Sequence, residues 1–501
     1  MNLAFPQAST IPLIFFAAHA MLPSRRRFLI SSLAVTGMPL LARAQQVGLG
    51  ATGALPTSVA QALETARIPQ QSCAFVLQPL DSPSPQIAFN GAALMNPASV
   101  LKLVTTYAAL RILGPAYVWK TPVYATGPIR AGVLQGDLAF VGSGDPHLMA
   151  DNLWSIAVRL RDLGIRRIRG DVLIDRQAFD LPPHNPGAFD GDATAPYNVG
   201  PDPFLVNFGV LRLGFVPDAQ AQQVRVTVEP PVAGFDLREA PKLTASACGN
   251  WKDKLRADWK QPFAPRFAGG FAAACGPQTW NIAPEVSDNA YVQRLLAALF
   301  AQVGIDWKGR VRTANLPAGA TELTVWDSPA LAVLVRDINK YSNNVMAQQV
   351  FLTLALQAGA QRATWGLAQQ AVEQWLSTHN LSMPGLVLDN GCGLSRIARI
   401  SAADLNALLR SAWNSPVMPE FISSLPLAGE DGTLRRHFRD PDTAGRIHAK
   451  TGSLDGVLSL AGYAQTRAGQ RYTFAALVND PRAGGAWPAL EAFVNGFMQT
   501  A

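Results

Sequence analysis

What most limits the fold of this chain is a change of texture partway along it. Residues 96–112 open with "NPASVLKLVTT": Asn96 is a good N-cap, Pro97 suits the first helical position, and Leu101, Val104, Ala108 and Ile112 recur at helical spacing until Gly114-Pro115. From 119 to 235 the chain becomes strand-like, with short runs such as "VLQGDLAFVGSG" and "IRGDVLIDRQAF" broken by Gly, Pro and Asp, and 181–203 reads as an ordered loop. Helical periodicity resumes near Val286 in "NAYVQRLLAALFAQVGI". Ser328-Pro329 then opens a helical pair broken at Tyr341-Ser342-Asn343-Asn344, followed by helices near 363–377 and 402–414. A hairpin, "SLAGYAQT" and "RYTFAALV" around Arg467-Ala468-Gly469-Gln470, and a helix near Pro488 to Met498 complete the pattern. This order predicts one α/β domain, 45–118 plus 326–501, interrupted by β-rich modules over 119–216 plus 286–325 and over 217–285.

The 501 residues are 49% hydrophobic and 15% charged, a core-forming composition that excludes a disordered chain. The net charge of +7 is partly local: residues 1–44 carry Arg25, Arg26, Arg27 and Arg43 and no acid, and without them the balance is +3. Beyond that segment there is no Lys/Arg-rich run, so nucleic acid is not an expected partner. "SRRRFLISSLAVTGMPLLARAQ" reads as a cleavable, twin-arginine-like export signal over 1–44, with Ala42-Arg43-Ala44 before Gln45 and with Met21 as an alternative start to Met1. Its apolar core is short of the roughly 20 residues of a spanning helix, and no later segment is apolar enough to cross a membrane. A periplasmic location follows. Of the four cysteines, Cys248 and Cys275 share a loop-rich region of an exported chain and are candidates for a disulfide; Cys73 and Cys392 are far apart in sequence. The six scattered histidines and the Cys spacing suggest no metal, and no cofactor is expected.

Ser99 and Lys102 stand at i and i+3, neighbours on one helix face close to the buried side. Alone they are as well read as a capping serine and a solvated lysine. Two more triplets change the reading: Ser342-Asn343-Asn344 at a helix break, and Lys450-Thr451-Gly452 leading into an amphipathic strand. The ordered trio S-x-x-K, S-x-N, K-T-G belongs to penicillin-binding proteins and class A β-lactamases. A serine hydroxyl needs a base, and a lysine serves only when neutral, which burial and a neighbouring cation favour. Lys102 would activate Ser99, with Lys450 across the cleft. Ser342 would relay a proton to the leaving amine and Asn344 hold the substrate amide. Lys450 and Thr451 suit a terminal carboxylate, Gly452 would let substrate backbone lie against the strand, and the backbone N–H groups of Ser99 and Ser453 would form the oxyanion hole.

On these residues the chain resembles a D-alanyl-D-alanine carboxypeptidase/endopeptidase of the low-molecular-mass class C penicillin-binding proteins. Ser342 stands 243 positions after Ser99, far more than in a class A β-lactamase, and the resemblance implies two β domains inserted there. "GDLAFVGSGDPHL", "LIDRQAF", "DNGCGLSR" and "LPLAGEDGTLRRHF" extend it over roughly 60–500. It implies a DD-peptidase-like catalytic domain, an antiparallel sheet flanked by helices, with peptidoglycan peptides and β-lactams as ligands. It further implies an inserted-domain acid that helps read a diaminopimelate side chain, Asp192 or less favourably Asp190 in "PGAFDGDA". The chain departs from the pattern at Cys392, where serine is usual and a modified rim or a thiol near the cleft would result, and at Asn343, where aspartate is common. Asp431 and Arg435 are at least as well read as loop or capping residues as in any substrate role. Two other readings are a β-lactamase, against which no E-x-x-L-N loop is evident, and a catalytically silent wall-binding protein of the same fold.

Overall fold

The strand Cys73–Pro79 is buried on both faces, and this dictates a three-layer frame. In the computed structural model, which describes residues 53–499, five strands form one antiparallel sheet: β1 (Cys73–Pro79), β2 (Ile87–Phe89), β3 (Ile447–Leu454), β4 (Val457–Gln465) and β5 (Arg471–Asn479), in the order β2-β1-β5-β4-β3. Side chains alternate across it. Cys73, Phe75 and Leu77 enter an apolar cluster with Val59, Leu63, Leu490 and Phe493, so the helices Thr57–Thr65 and Trp487–Gln499 cover that face. Ala74 and Val76 point the other way, into a cluster with Val104, Ala108, Leu405 and Leu409. That second face is covered by α1 (Lys102–Ile112), by α2 (Leu331–Tyr341) and α3 (Asn344–Gln357), and by the helices Trp365–Thr378 and Ala402–Trp413. This is the antiparallel sheet flanked by helices expected above. The expected export signal lies outside the described residues.

The insertion between α1 and α2 has an apolar core of its own, running from Val123 to Val311. Its largest sheet takes the strands Val311–Thr313, Val172–Asp175, Leu138–Val141, Lys120–Ala125 and Thr321–Asp327 in that order, the first two pairings parallel. Parallel neighbours need a crossover of a dozen or more residues, usually a helix. Ala150–Asp162 makes one crossover, and Asp288–Gln302 precedes Val311–Thr313. The first helix corrects the strand-like reading of 119–235. Leu153, Ile156, Ala157 and Leu160 are its buried positions, an i, i+3, i+4, i+7 stripe that was present in the sequence. A three-stranded antiparallel sheet, Gln223–Glu229, Leu211–Asp218 and Gln278–Ile282, belongs to the second module, and the boundary drawn at 216/217 falls inside its middle strand. Phe215, Phe267 and Phe271 of that module join the same core as Leu295 and Phe300.

Cys248 and Cys275 are joined by a disulfide, while Cys73 and Cys392 are free and buried. The bridge spans 27 positions, a loop whose closure contributes roughly 3–4 kcal/mol in the chain-entropy picture. Non-reducing peptide mapping is expected to recover the two cysteine peptides joined, and reduction to lower the melting temperature. Two free thiols in that map would refute the bridge.

Candidate active site

The serine of the first triplet sits on a strained turn rather than in a regular helix. Residues Ala98–Leu101 form a 3-10 turn leading into α1, and Ala98 has φ 46°, a left-handed conformation that costs a non-glycine residue roughly 1–3 kcal/mol. The surroundings hold it there. Asn96 Oδ1 accepts from Ala98 N (2.9 Å), and Asn96 Nδ2 donates to Ser395 O (2.8 Å). Asn479, the last residue of β5, accepts from Asn96 N (2.8 Å) and donates to Asn96 O (3.0 Å), while Ser459 on β4 donates to Pro97 O (2.6 Å). Two glycines let backbone close in. A Cβ on Gly393 would stand 1.9 Å from Ala98 O, and one on Gly452 would meet Pro97 O at 2.5 Å and Ser99 N at 3.0 Å. The space left by the missing side chain of Gly452 is filled by the Ser99 turn and the Ser459 hydroxyl, which β3 must approach closely.

Lys102 Nζ lies 3.0 Å from Ser99 Oγ, 2.7 Å from Asn344 Oδ1 and 2.6 Å from the Cys392 carbonyl oxygen. A neutral amine has two N–H donors and one lone pair. The amide and carbonyl oxygens can only accept, so they use both donors and leave the lone pair for the Ser99 hydroxyl proton. The electrostatics agree: Lys102 is 0% exposed, and burial pushes its pKa down to about 8. Opposite, Lys450 on β3 reaches Ser342 Oγ (2.9 Å) and the Thr451 carbonyl (2.8 Å). It is also 0% exposed, and burial first, then the charge of Lys102, holds it well below the usual lysine range. Ser342 ends α2 in the left-handed region (φ 57°, ψ 37°), which breaks the helix and turns the hydroxyl toward Lys450. Asn343 caps α3, its side chain accepting from Met346 N, a task asparagine and aspartate perform alike.

The triplets therefore converge as two pairs of contacts: Lys102 meets Ser99 and Asn344, and Lys450 meets Ser342, each at 3.0 Å or less, while β3 passes against the Ser99 turn at Gly452 and the charge of Lys102 is felt at Lys450. Thr451 Oγ1 donates to Thr433 Oγ1 (2.7 Å), and Ser453 is exposed on the edge strand. Asp192 stands apart, its carboxylate accepting from Thr194 N and Oγ1 in its own turn. Asp190 accepts instead from Tyr197 OH (2.8 Å), and the Tyr197 carbonyl accepts from Asn344 Nδ2 (3.0 Å). The 181–203 loop thus forms a wall of the cleft, which its turn-rich sequence did not signal. The Cys392 thiol is not at a rim: it is 0% exposed, burial pushes its pKa up, and Gln348 Nε2 donates to it at 3.4 Å.

Sequence reading also missed a support beneath Ser342. Lys340, buried two positions back on α2, donates to Leu425 O (2.9 Å) and Asp431 Oδ2 (2.5 Å), and Asp431 Oδ1 accepts from Leu427 N (2.8 Å). Burial alone would raise the Asp431 carboxyl, but the Lys340 and Leu427 hydrogen bonds more than reverse this and hold it below the ordinary range. Through Thr433 the same loop reaches Thr451, so one segment braces both the S-x-N and the K-T-G triplets.

A helix–sheet–helix frame with a serine–lysine pair at a helix start and a second pair on the sheet edge is that of a serine hydrolase of the β-lactamase/DD-peptidase type. The chain belongs to the D-Ala-D-Ala carboxypeptidase 3 (S13) family, whose profile matches residues 55–492. It is 30% identical to a D-alanyl-D-alanine carboxypeptidase of Actinomadura sp. over 391 residues, 75% of this chain and 71% of that one. It is 25% identical to the D-alanyl-D-alanine carboxypeptidase DacB of Haemophilus influenzae over 405 residues, 78% and 82% of the two chains. In fold it is similar to the crystal structure of penicillin-binding protein 4 from Haemophilus influenzae, with TM-score 0.71 and 22% identity over 88% of this chain and 99% of that one.

Proposed function

We propose that the protein is a serine-type D-Ala-D-Ala carboxypeptidase that cleaves peptidoglycan stem peptides through an acyl-enzyme on Ser99 and is acylated by penicillins at the same atom. The observation that carries this reading is the contact of Ser99 Oγ with a buried, weakly basic Lys102 whose two N–H donors are already used. In acylation Ser99 Oγ attacks the carbonyl of the D-Ala-D-Ala bond and its proton passes to Lys102. The oxyanion is held by the Ser99 and Ser453 backbone N–H groups. Lys450 and Thr451 take the terminal carboxylate, which supplies the counter-charge that the apo cleft does not provide and so returns a proton to Lys450. The proton taken up by Lys102 passes by way of Ser342, which stands 2.9 Å from Lys450, to the departing amine as the C–N bond breaks, so D-alanine leaves and Lys102 is neutral again. Water activated by Lys102 then hydrolyses the ester.

A peptide cross-link presents the same acyl donor with a longer leaving amine, so endopeptidase action uses the same residues. The inserted-domain acid, Asp192 or Asp190, faces the amine end of a diaminopimelate side chain in this reading; the Asp190–Tyr197–Asn344 connection favours Asp190. Periplasmic location follows from the signal read over 1–44, and among the described residues no helix is long and apolar enough to cross a membrane. Incubation with a pentapeptide ending in D-Ala-D-Ala is expected to release one D-alanine per peptide, and nitrocefin to be opened slowly and about stoichiometrically with protein. Absence of D-alanine release would overturn the reading, and sustained nitrocefin turnover would move it to a β-lactamase.

A further inference from the structure

The sheet edge that carries Lys450 also borders a second pocket, of about 550 Å³, which the reaction does not use. It opens where β3 begins and where β4 turns into β5, against the helices Ala402–Trp413 and Met418–Ser424. Its charged lining is cationic, with Gln465 as a neutral polar neighbour. Arg446 and Arg471 both contribute, and among the described residues neither guanidinium forms an ion pair and no carboxylate lines the pocket. His448, two positions before Lys450, presents a buried ring Nδ1 that has no hydrogen-bond partner among the described residues. The rest of the wall is apolar and aromatic. Trp413 and Tyr463 lie with ring centroids 5.8 Å apart, Ile422 closes one side, and the Arg471 guanidinium sits 5.4 Å above the Trp413 ring. Two guanidinium groups without an ion-pair partner, lining one pocket beside an aromatic wall, match a planar anion with an apolar body.

We propose that this pocket binds a small organic anion, a carboxylate or sulfonate carrying an aromatic body, at a site separate from the acylation cleft. The charged head meets Arg446 and Arg471 with His448 beside it, and the ring stacks against Trp413 and Tyr463. The basic N-terminal segment is a poor occupant because its three consecutive arginines repeat the charge already there. The proposal goes beyond the peptidase reading and is tested with the cleft already blocked. Protein acylated to completion by benzylpenicillin is titrated with 1-anilinonaphthalene-8-sulfonate and, separately, with its uncharged analogue N-phenyl-1-naphthylamine, followed by probe fluorescence.

The acylated protein is expected to bind one sulfonate probe per chain, about tenfold or more tighter than the neutral analogue, with the advantage shrinking in high salt. Arg446→Gln and Arg471→Gln should each weaken the sulfonate about tenfold while leaving the neutral probe unchanged, and Arg446→Lys should recover part of the loss. Arg446 is partly exposed and Arg471 is exposed, and undiminished penicillin labelling of the variants shows that they fold. Equal affinity for the two probes, sulfonate binding that ignores both arginine substitutions, or loss of binding on acylation of Ser99 would each overturn the proposal.

Discussion

Ser99→Ala is expected to yield a folded protein that takes no label from a fluorescent penicillin and releases no D-alanine, a loss of at least about 10⁴-fold in acylation. The fold should survive because the turn does not depend on the hydroxyl. Asn96, Asn479 and Ser459 hold its backbone, and among the described residues the hydrogen-bond partner of Ser99 Oγ is Lys102. Ser342 is the other hydroxyl beside a lysine, so the result discriminates between the two pairs. Circular dichroism and a thermal melt check the fold, and in-gel fluorescence with peptide mapping checks the chemistry. Label remaining on the variant, at Ser342 or elsewhere, would move the nucleophile and end the proposed mechanism.

Lys102→Arg and Lys450→Arg are expected to differ sharply although both preserve a cation. The Lys102 variant should lose about 10²–10⁴-fold in acylation by any substrate, because a guanidinium does not release its proton near neutral pH and so cannot accept that of Ser99. The Lys450 variant should keep part of its activity, since its task in the complex is to face a carboxylate. The pH dependence has a definite sign. Lys102 accepts a proton only in its neutral form, and burial brings its pKa down to about 8, so acylation of the free enzyme should rise with pH through about 8. Lys450 acts charged, yet burial and the neighbouring Lys102 push it down, so it needs the substrate carboxylate to hold its proton. Carboxylate binding should therefore take up a proton, which calorimetry in buffers of different ionisation enthalpy would measure. Stopped-flow acylation of both variants against pH decides the assignment; equal residual rates would place the base elsewhere.

The sequence by itself determined the elements whose signals are local. Helical spacing after Ser99, the break at Ser342, the hairpin around Arg467–Gln470 and the long insertion were legible because periodicity and turn chemistry act over a few residues. The same short range explains the helix missed at Ala150–Asp162, whose apolar stripe is flanked on both sides by turn residues. Tertiary structure decided what the triplets do. Lys102 and Asn344 lie 242 positions apart and touch at 2.7 Å, and no local pattern encodes that contact. Packing alone reveals that Gly452 makes room for the Ser99 turn, that the Cys392 thiol faces inward while its carbonyl meets Lys102, and that Tyr197 of the insertion closes on Asn344. It also sets the electrostatics: a lysine in a sequence is a cation, and complete burial is what brings the pKa of Lys102 down to about 8, as the proposed base requires.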